Sequence, residues 1–306
     1  MRWVAKAAVQ KAVSPLPGGE RLNNLLQRHI THQLPRSDEH FRLHAAETVS
    51  HLTALERHDP NPEVGVAHLY EFGAGWDLIT PVVYHGLGVN HQTLVDITAN
   101  LRFDQLNHTL HQYGHHRADL ERQAGRALRE IDPGPIGSLE HLHERLGISY
   151  LAPRDARRSG FEGETFDFAS NTFTLEHIPR DDIATILADT WRILRPGGLV
   201  SSVVDMKDHY SYFDSSISAF NFLKFSDRTW RLVNSSLHFQ NRLRRSDYTR
   251  LHQEAGFEVV QESYARADET DLATVRGLEL APRFRDGYST EENAIRQVHI
   301  VARKDG

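Results

Sequence analysis

The 306-residue chain contains no cysteine. That removes disulfides, thiolate zinc sites and cysteine nucleophiles together, so any catalysis draws on other groups. No stretch reaches the roughly 18 apolar residues that a membrane helix needs, and the first residues lack the apolar core of a secretory signal. A cytoplasmic protein with no membrane partner is expected. There is no excess of positive charge either: 35 Lys and Arg against 41 Asp and Glu give a formal net charge of -6. A dedicated nucleic-acid binder needs a concentrated basic surface, so that class is disfavoured. The phosphate-cradling motif G-x-x-x-x-G-K-S/T is absent, which excludes a P-loop nucleotide enzyme. H-E-x-x-H is absent too, although histidine is plentiful at 20 residues. The dense group His108, His111, His115 and His116 reads as solvated helix surface.

The length suits one large domain or one domain with a cap. Residues 1–62 carry helical patterning, broken at Ser14–Gly19 and near Pro35, and read as an appended helical N-terminal cap. Arg57–Glu63, polar and proline-rich, reads as a linker. From 63 to 306 short apolar runs alternate with helical patterns. Strands are expected at Val66–Phe72, Thr93–Ile97, Ile148–Leu151, Phe166–Ser170 and Leu199–Val204, with two closing strands in Gly256–Tyr264 and Ala294–Lys304. Alternation of this kind implies an α/β fold, a doubly wound, mostly parallel sheet of seven strands with both faces covered. Insertions fall at about 100–146, where extra helices are expected, and 207–245. Arg195-Pro-Gly-Gly198 reads as a helix stop and turn.

The chemistry-bearing signal is Glu71-Phe-Gly-Ala-Gly-Trp-Asp77, directly after the first strand. Gly73 and Gly75 permit a tight turn and close approach of a ligand to bare backbone. Asp77 is placed to cap the following helix, expected over Leu78–Tyr84. Asp96 ends the second strand, where a carboxylate can accept hydrogen bonds from both hydroxyls of a ribose. A nucleoside-binding crevice at the carboxyl ends of these strands follows. Leu78 stands where a dinucleotide fingerprint has its third glycine, which disfavours a pyrophosphate ligand.

Glu71–Asp77, the Val-Asp-Ile stretch at 95–97, Phe166–Pro179 and Arg192–Val200 together resemble a class I S-adenosylmethionine-dependent methyltransferase. Residues 218–260 are similar to bacterial methyltransferases of uncharacterised, secondary-metabolic or polysaccharide-linked type. The resemblance implies S-adenosylmethionine as cofactor, with Glu71 near its methionine amino end, Gly73 and Gly75 beneath it, and Asp96 on the ribose hydroxyls. It further implies Asp155 and Ala156 near the adenine and Asn171 facing the sulfonium side. The family often has a third glycine where Asp77 stands, so a shifted helix start is expected.

Methyl transfer to a hydroxyl is helped by a general base, and histidine suits the task. His177, after the fourth strand, is the first candidate, and His209, beside Asp205, Asp208 and Tyr210, the second. His238 is a distant third. Some methyltransferases hold a divalent ion through E-x-x-E-H at this position. Here Phe173 replaces the first acid and leaves Glu176-His177, two groups, too few for a usual coordination shell. No metal is expected. The aromatic residues between Tyr210 and Trp230 read chiefly as core, with some walling an acceptor pocket. Arg242, Arg244 and Arg245 read as a solvated helix start, with an anionic acceptor as the other reading. The function expected is O-methylation of a small molecule, a secondary metabolite or sugar. An NAD-type oxidoreductase and a non-catalytic S-adenosylmethionine-binding protein are the rivals.

Overall fold

The computed structural model describes residues 3–13, 37–59 and 63–306. The breaks expected at Ser14–Gly19 and Pro35, and the middle of the Arg57–Glu63 linker, lie outside the described residues. Seven strands, β1 (His68–Phe72), β2 (His91–Val95), β3 (Ile148–Leu151), β4 (Phe166–Thr172), β5 (Leu194–Asp205), β6 (Phe257–Ser263) and β7 (Gln297–Lys304), form one sheet in the order β3-β2-β1-β4-β5-β7-β6. β7 runs antiparallel to both its neighbours, while the remaining pairings are parallel. The strand order reverses between β1 and β4, the place where open α/β sheets part at their carboxyl ends to make a crevice.

Alternation along the strands decides which layer each side chain joins. Leu69, Leu94, Phe168 and Leu199 face one layer, built from α2 (Asp38–His58), α3 (Ile79–Gly86), α4 (Phe103–Ala124) and α5 (Leu139–Leu146). Tyr70, Val95, Ala169 and Val200 face the other, built from α6 (Arg180–Ile193) and, beyond α7 (Asp227–Val233), α8 (Arg245–Glu254). The chain then adds α9 (Glu269–Arg276), α10 (Pro282–Gly287) and α11 (Thr290–Ala294) before β7.

The reading of 1–62 as one cap is corrected by where its two described helices go. α1 (Trp3–Val13) packs on the 207–294 region: Ala7 joins Tyr210, Phe220, Phe222, Trp230 and Phe284 in a third buried cluster. α2 is a layer of the sheet itself. Ser37 Oγ accepts the His40 N–H at 3.2 Å, and Asp38 and Glu39 lie in the first turn, at the positive end of the helix. Phe41, Ala45, Val49, Leu52 and Leu55 then follow at helical spacing and are all buried. Each large side chain so covered contributes about 1.5–3 kcal/mol.

β2 begins two residues earlier than expected, because His91 and Gln92 already pair with β1. The Arg195–Gly198 turn is instead the irregular start of β5, where the register against β4 shifts between Phe166 and Phe168. His116 is also not surface; it is buried, with its ring stacked on Phe41 at 5.5 Å between centroids.

Candidate functional site

A cavity of about 640 Å³ opens at the carboxyl ends of β1, β2 and β4. Gly73, Gly75, Glu71, Asp96, Asp155, Ala156 and His177 all line it, as do His40 and His44 from α2.

Gly73 and Gly75 both have left-handed backbone, at φ +77° and +72°, but they serve different ends. A Cβ on Gly73 would lie 2.3 Å from Thr174 Cγ2, so glycine there lets the segment after β4 close against the loop. At Gly75 the nearest atom would be 4.0 Å away, leaving bare backbone facing open space. Asp77 Oδ1 accepts the Ile79 N–H at 3.5 Å, while Leu78, with φ +51°, is the residue at the cap position itself. The helix start is therefore one residue later than expected.

Two acids frame this end. Asp96 accepts the Gly75 N–H at 3.1 Å through Oδ2 and the Thr98 N–H at 3.0 Å through Oδ1, which ties the glycine loop to the end of β2. Burial raises its pKa, against the opposing effect of those backbone donors. Glu71 is 4% exposed, accepts Ser170 Oγ–H at 3.3 Å, and is pushed by burial up to about 8. Asp155 caps a short turn, accepts the Arg157 N–H at 2.9 Å, and is held down by the Arg157 guanidinium, which also reaches Asp182 at 2.8 Å.

Asn171 is corrected. It is fully buried on the α6–α8 face of β4, its Nδ2 donating to Ser202 Oγ at 2.8 Å, and it does not line the cavity. Its neighbour Thr172 does, because successive residues of a strand face opposite ways. His51 of α2 accordingly reaches Thr172 Oγ1 at 3.1 Å and Ser201 Oγ at 2.6 Å from the α2 side of the sheet.

The opposite end is built by the turn after β4. Phe173, at φ +51° and with its N–H bonded to Val203 O at 2.8 Å, swings the chain across the mouth. A bulky residue in that conformation costs about 1–3 kcal/mol, so the surrounding contacts impose it. His177 follows in the Leu175–His177 turn, with one solvent-exposed edge. Its Nδ1 lies 2.9 Å from Phe239 O, so Nδ1 carries the proton and Nε2 the free lone pair. Although the residue is exposed, desolvation by the protein packed around the ring, and then the neighbouring His209, hold its pKa down to about 4.

His209 sits in the turn after β5, its ring 4.9 Å from that of His177 and its Nε2 3.4 Å from Asp205 Oδ2. Glu176 points into the same place and is 1% exposed; burial and then the charge of Asp205 push it well above the carboxylate range. His238 lies behind His209, 6.1 Å away between ring centroids, and off the cavity wall. Asp208 is spent on structure, accepting the Tyr210 N–H and Asn221 Nδ2.

Sequence reasoning missed His40, His44, Thr172, Phe173 and Thr174. The histidine pair at i, i+4 on α2 was the available signal, since that spacing puts both on one face. His44 now meets Phe173 edge-on at 5.1 Å, and His40 Nε2 approaches Asp77 at 3.9 Å. The arginine cluster is corrected as well. Arg244 is fully buried and donates to the carbonyls of Met206, Asn293 and Ile295; Arg242 pairs with Asp227, and Arg245 with Glu262 and Glu292. None of the three arginines lines the cavity, and nor do the aromatic residues from Tyr210 to Trp230.

A methyltransferase-domain family profile matches residues 68–262. No curated protein matches the chain. Among solved structures it is similar to a protein from Galdieria sulphuraria assigned as a sarcosine dimethylglycine methyltransferase, with 16% identity, TM-score 0.45 and 86% of each chain covered. It is also similar to a geranyl diphosphate methyltransferase in complex with SAM, with 14% identity, TM-score 0.46, and 84% of this chain and 85% of that one covered. YcgJ of Bacillus subtilis shows 11% identity and TM-score 0.45 over 85% of this chain and 99% of its own.

Proposed function

The chain belongs to the methyltransferase-domain family and uses S-adenosylmethionine, and from that premise we propose that it methylates a hydroxyl of a small molecule such as a secondary metabolite or a sugar. The observation that carries this reading is the two-ended cavity. One end offers glycine backbone and two carboxylates, and the other a neutral imidazole whose Nε2 lone pair is free. Its volume of about 640 Å³ is in the range of small-molecule sites.

The cofactor brings an activated methyl group on a sulfonium, leaving the protein to bind, align and handle a proton. Glu71, ionised on pairing, receives the methionine ammonium. Each oxygen of Asp96 accepts one backbone N–H and keeps a lone pair for a ribose hydroxyl. The open space over Gly75 admits the ligand against bare backbone, and Asp155 and Ala156 flank the base. His177 receives the acceptor hydroxyl, with His209 behind it.

Calorimetric titration with S-adenosylmethionine, S-adenosylhomocysteine and NAD in parallel tests the binding half. Micromolar binding of the first two, and none of NAD, is expected. An acceptor screen that follows S-adenosylhomocysteine formation tests the rest. Turnover confined to amine or carbon acceptors would overturn the hydroxyl reading.

A further inference from the structure

Glu176, His177 and His209 come from two turns, one after β4 and one after β5, yet their ligand atoms all lie within 4.8 Å of one another. Separation in sequence hides this trio, because only Glu176 and His177 are adjacent. An ion with bonds of about 2.1 Å holds tetrahedral ligands roughly 3.4 Å apart, so a contraction of at most about 1.4 Å closes the set.

A second observation points to a ligand. Neither carboxylate oxygen of Glu176, 1% exposed, has a side-chain hydrogen-bond partner among the described residues, and Nε2 of His209, 8% exposed, has no partner nearer than Asp205 Oδ2 at 3.4 Å. Leaving such groups buried and unpaired is costly, several kcal/mol for a charged one. A proton would cancel the Glu176 charge but would leave the Nε2 lone pair of His177 unused. A divalent cation satisfies all three groups at once.

The surroundings agree. His177 donates from Nδ1 to Phe239 O at 2.9 Å, which fixes the tautomer and aims Nε2 away, the arrangement that metal-binding histidines use. Asn241 holds the turn itself, its N–H on Glu176 O and its Nδ2 on Leu175 O and Ile178 O, each at 2.8 Å. Asp205 adds a further carboxylate 3.4 Å from His209 Nε2 and accepts the Tyr212 hydroxyl.

We propose that Glu176, His177 and His209 bind one divalent transition-metal ion of the zinc class at the wall of the cavity. Two imidazoles and one carboxylate favour such an ion over magnesium or calcium, which prefer all-oxygen shells. Three protein ligands leave a position open, as in catalytic rather than structural sites. His177 belongs to the cavity wall, so an acceptor oxygen entering beside it can occupy that position and lose its proton more readily. This role rests on the hydroxyl reading and replaces direct proton acceptance by His177, whose one free lone pair then binds the ion; the ion site itself does not rest on that reading. The other histidine–carboxylate group, Asp38, His115 and His116, has Asp38 and His115 exposed at the surface and serves as the internal control.

The test is titration of the full, chelator-stripped protein with Zn²⁺ against a chromogenic chelator, repeated with Co²⁺ to read its visible ligand-field bands. The expected result is one tight equivalent per chain. Affinity should fall at least tenfold and the cobalt bands should collapse in Glu176→Gln, His177→Ala and His209→Asn, but not in His115→Ala. Calorimetry with S-adenosylmethionine reports whether each variant is folded, and His177, with its exposed edge, is the one least able to disturb the core. No stoichiometric binding, or binding lost in His115→Ala and kept in His177→Ala, overturns the proposal. A failure of S-adenosylmethionine to bind the wild-type protein would instead count against the cofactor site and leave the metal result standing.

Discussion

The two ends of the cavity are built on opposite plans. At the glycine-loop end the polar groups are matched from within: Asp96 is tied to the loop by backbone N–H groups, and residues 71–77 do most of the work within one short segment. At the histidine end the groups come from separate turns and are poorly matched, with neither Glu176 oxygen holding a side-chain partner among the described residues and His209 Nε2 no nearer than 3.4 Å to Asp205. A region satisfied by its own backbone is already shaped for its ligand. A region left unsatisfied is completed by what it binds.

If the ends are separate devices, variants should split their effects. The largest split is expected for His177→Ala, with turnover falling by about 10²-fold or more and the affinity for S-adenosylmethionine staying within about twofold, since the ring touches none of the loop groups. Steady-state kinetics beside calorimetry checks it, and a parallel loss of cofactor affinity would merge the two ends. Asp96→Ala is next. It removes the loop tether together with the ribose acceptor, two charge-assisted hydrogen bonds or more, so cofactor affinity should fall by roughly 10²-fold by calorimetry.

The glycine pair sharpens the comparison within one end. Gly73→Ala should cost about 2–3 kcal/mol of stability, from left-handed strain and the contact with Thr174, as read by denaturant unfolding. Gly75→Ala meets no atom nearer than 4.0 Å, so it should cost only about 1–2 kcal/mol of strain while weakening cofactor binding. Equal stability losses would deny that Gly75 faces ligand space.

The smallest effect on cofactor affinity is a pH dependence. The Glu71 pKa is raised from 4.5 to about 8 in the folded protein. The folded state therefore holds a proton that the unfolded chain has lost, and stability should decline as pH rises between those two values, then level off. Cofactor pairing needs the ionised form, so affinity should rise about fivefold from pH 7 to 8, with proton release seen as a buffer-dependent binding enthalpy. Glu71→Gln should flatten both curves.

What could be read from the sequence follows the same divide. The strand–loop–helix at 68–86 and Asp96 were legible because their geometry is set by neighbours in the chain. Asn171 was misplaced by one residue, and in a strand one residue exchanges the faces, so Thr172 reaches the cavity instead. Arg244 was read as solvated because charge is usually exposed; three backbone carbonyls that no local pattern announces hold it inside. The meeting of His209 with Glu176 and His177 is a product of sheet order, which brings the ends of β4 and β5 together. Counting ligands along the chain stopped at two for that reason.

The placement of α2 bears on modularity. The family match begins at residue 68 and ends at 262, but α2 before it supplies interior side chains from Phe41 to Leu55, and β7 after it pairs with both β5 and β6. Cutting at the matched borders would open the interior along one sheet face and strip β6 of its partner strand. The piece that can be moved between proteins, fused or recombined without rebuilding its interior is thus wider than the piece that identifies it. The histidines of α2 show that the extra width reaches the active cavity as well.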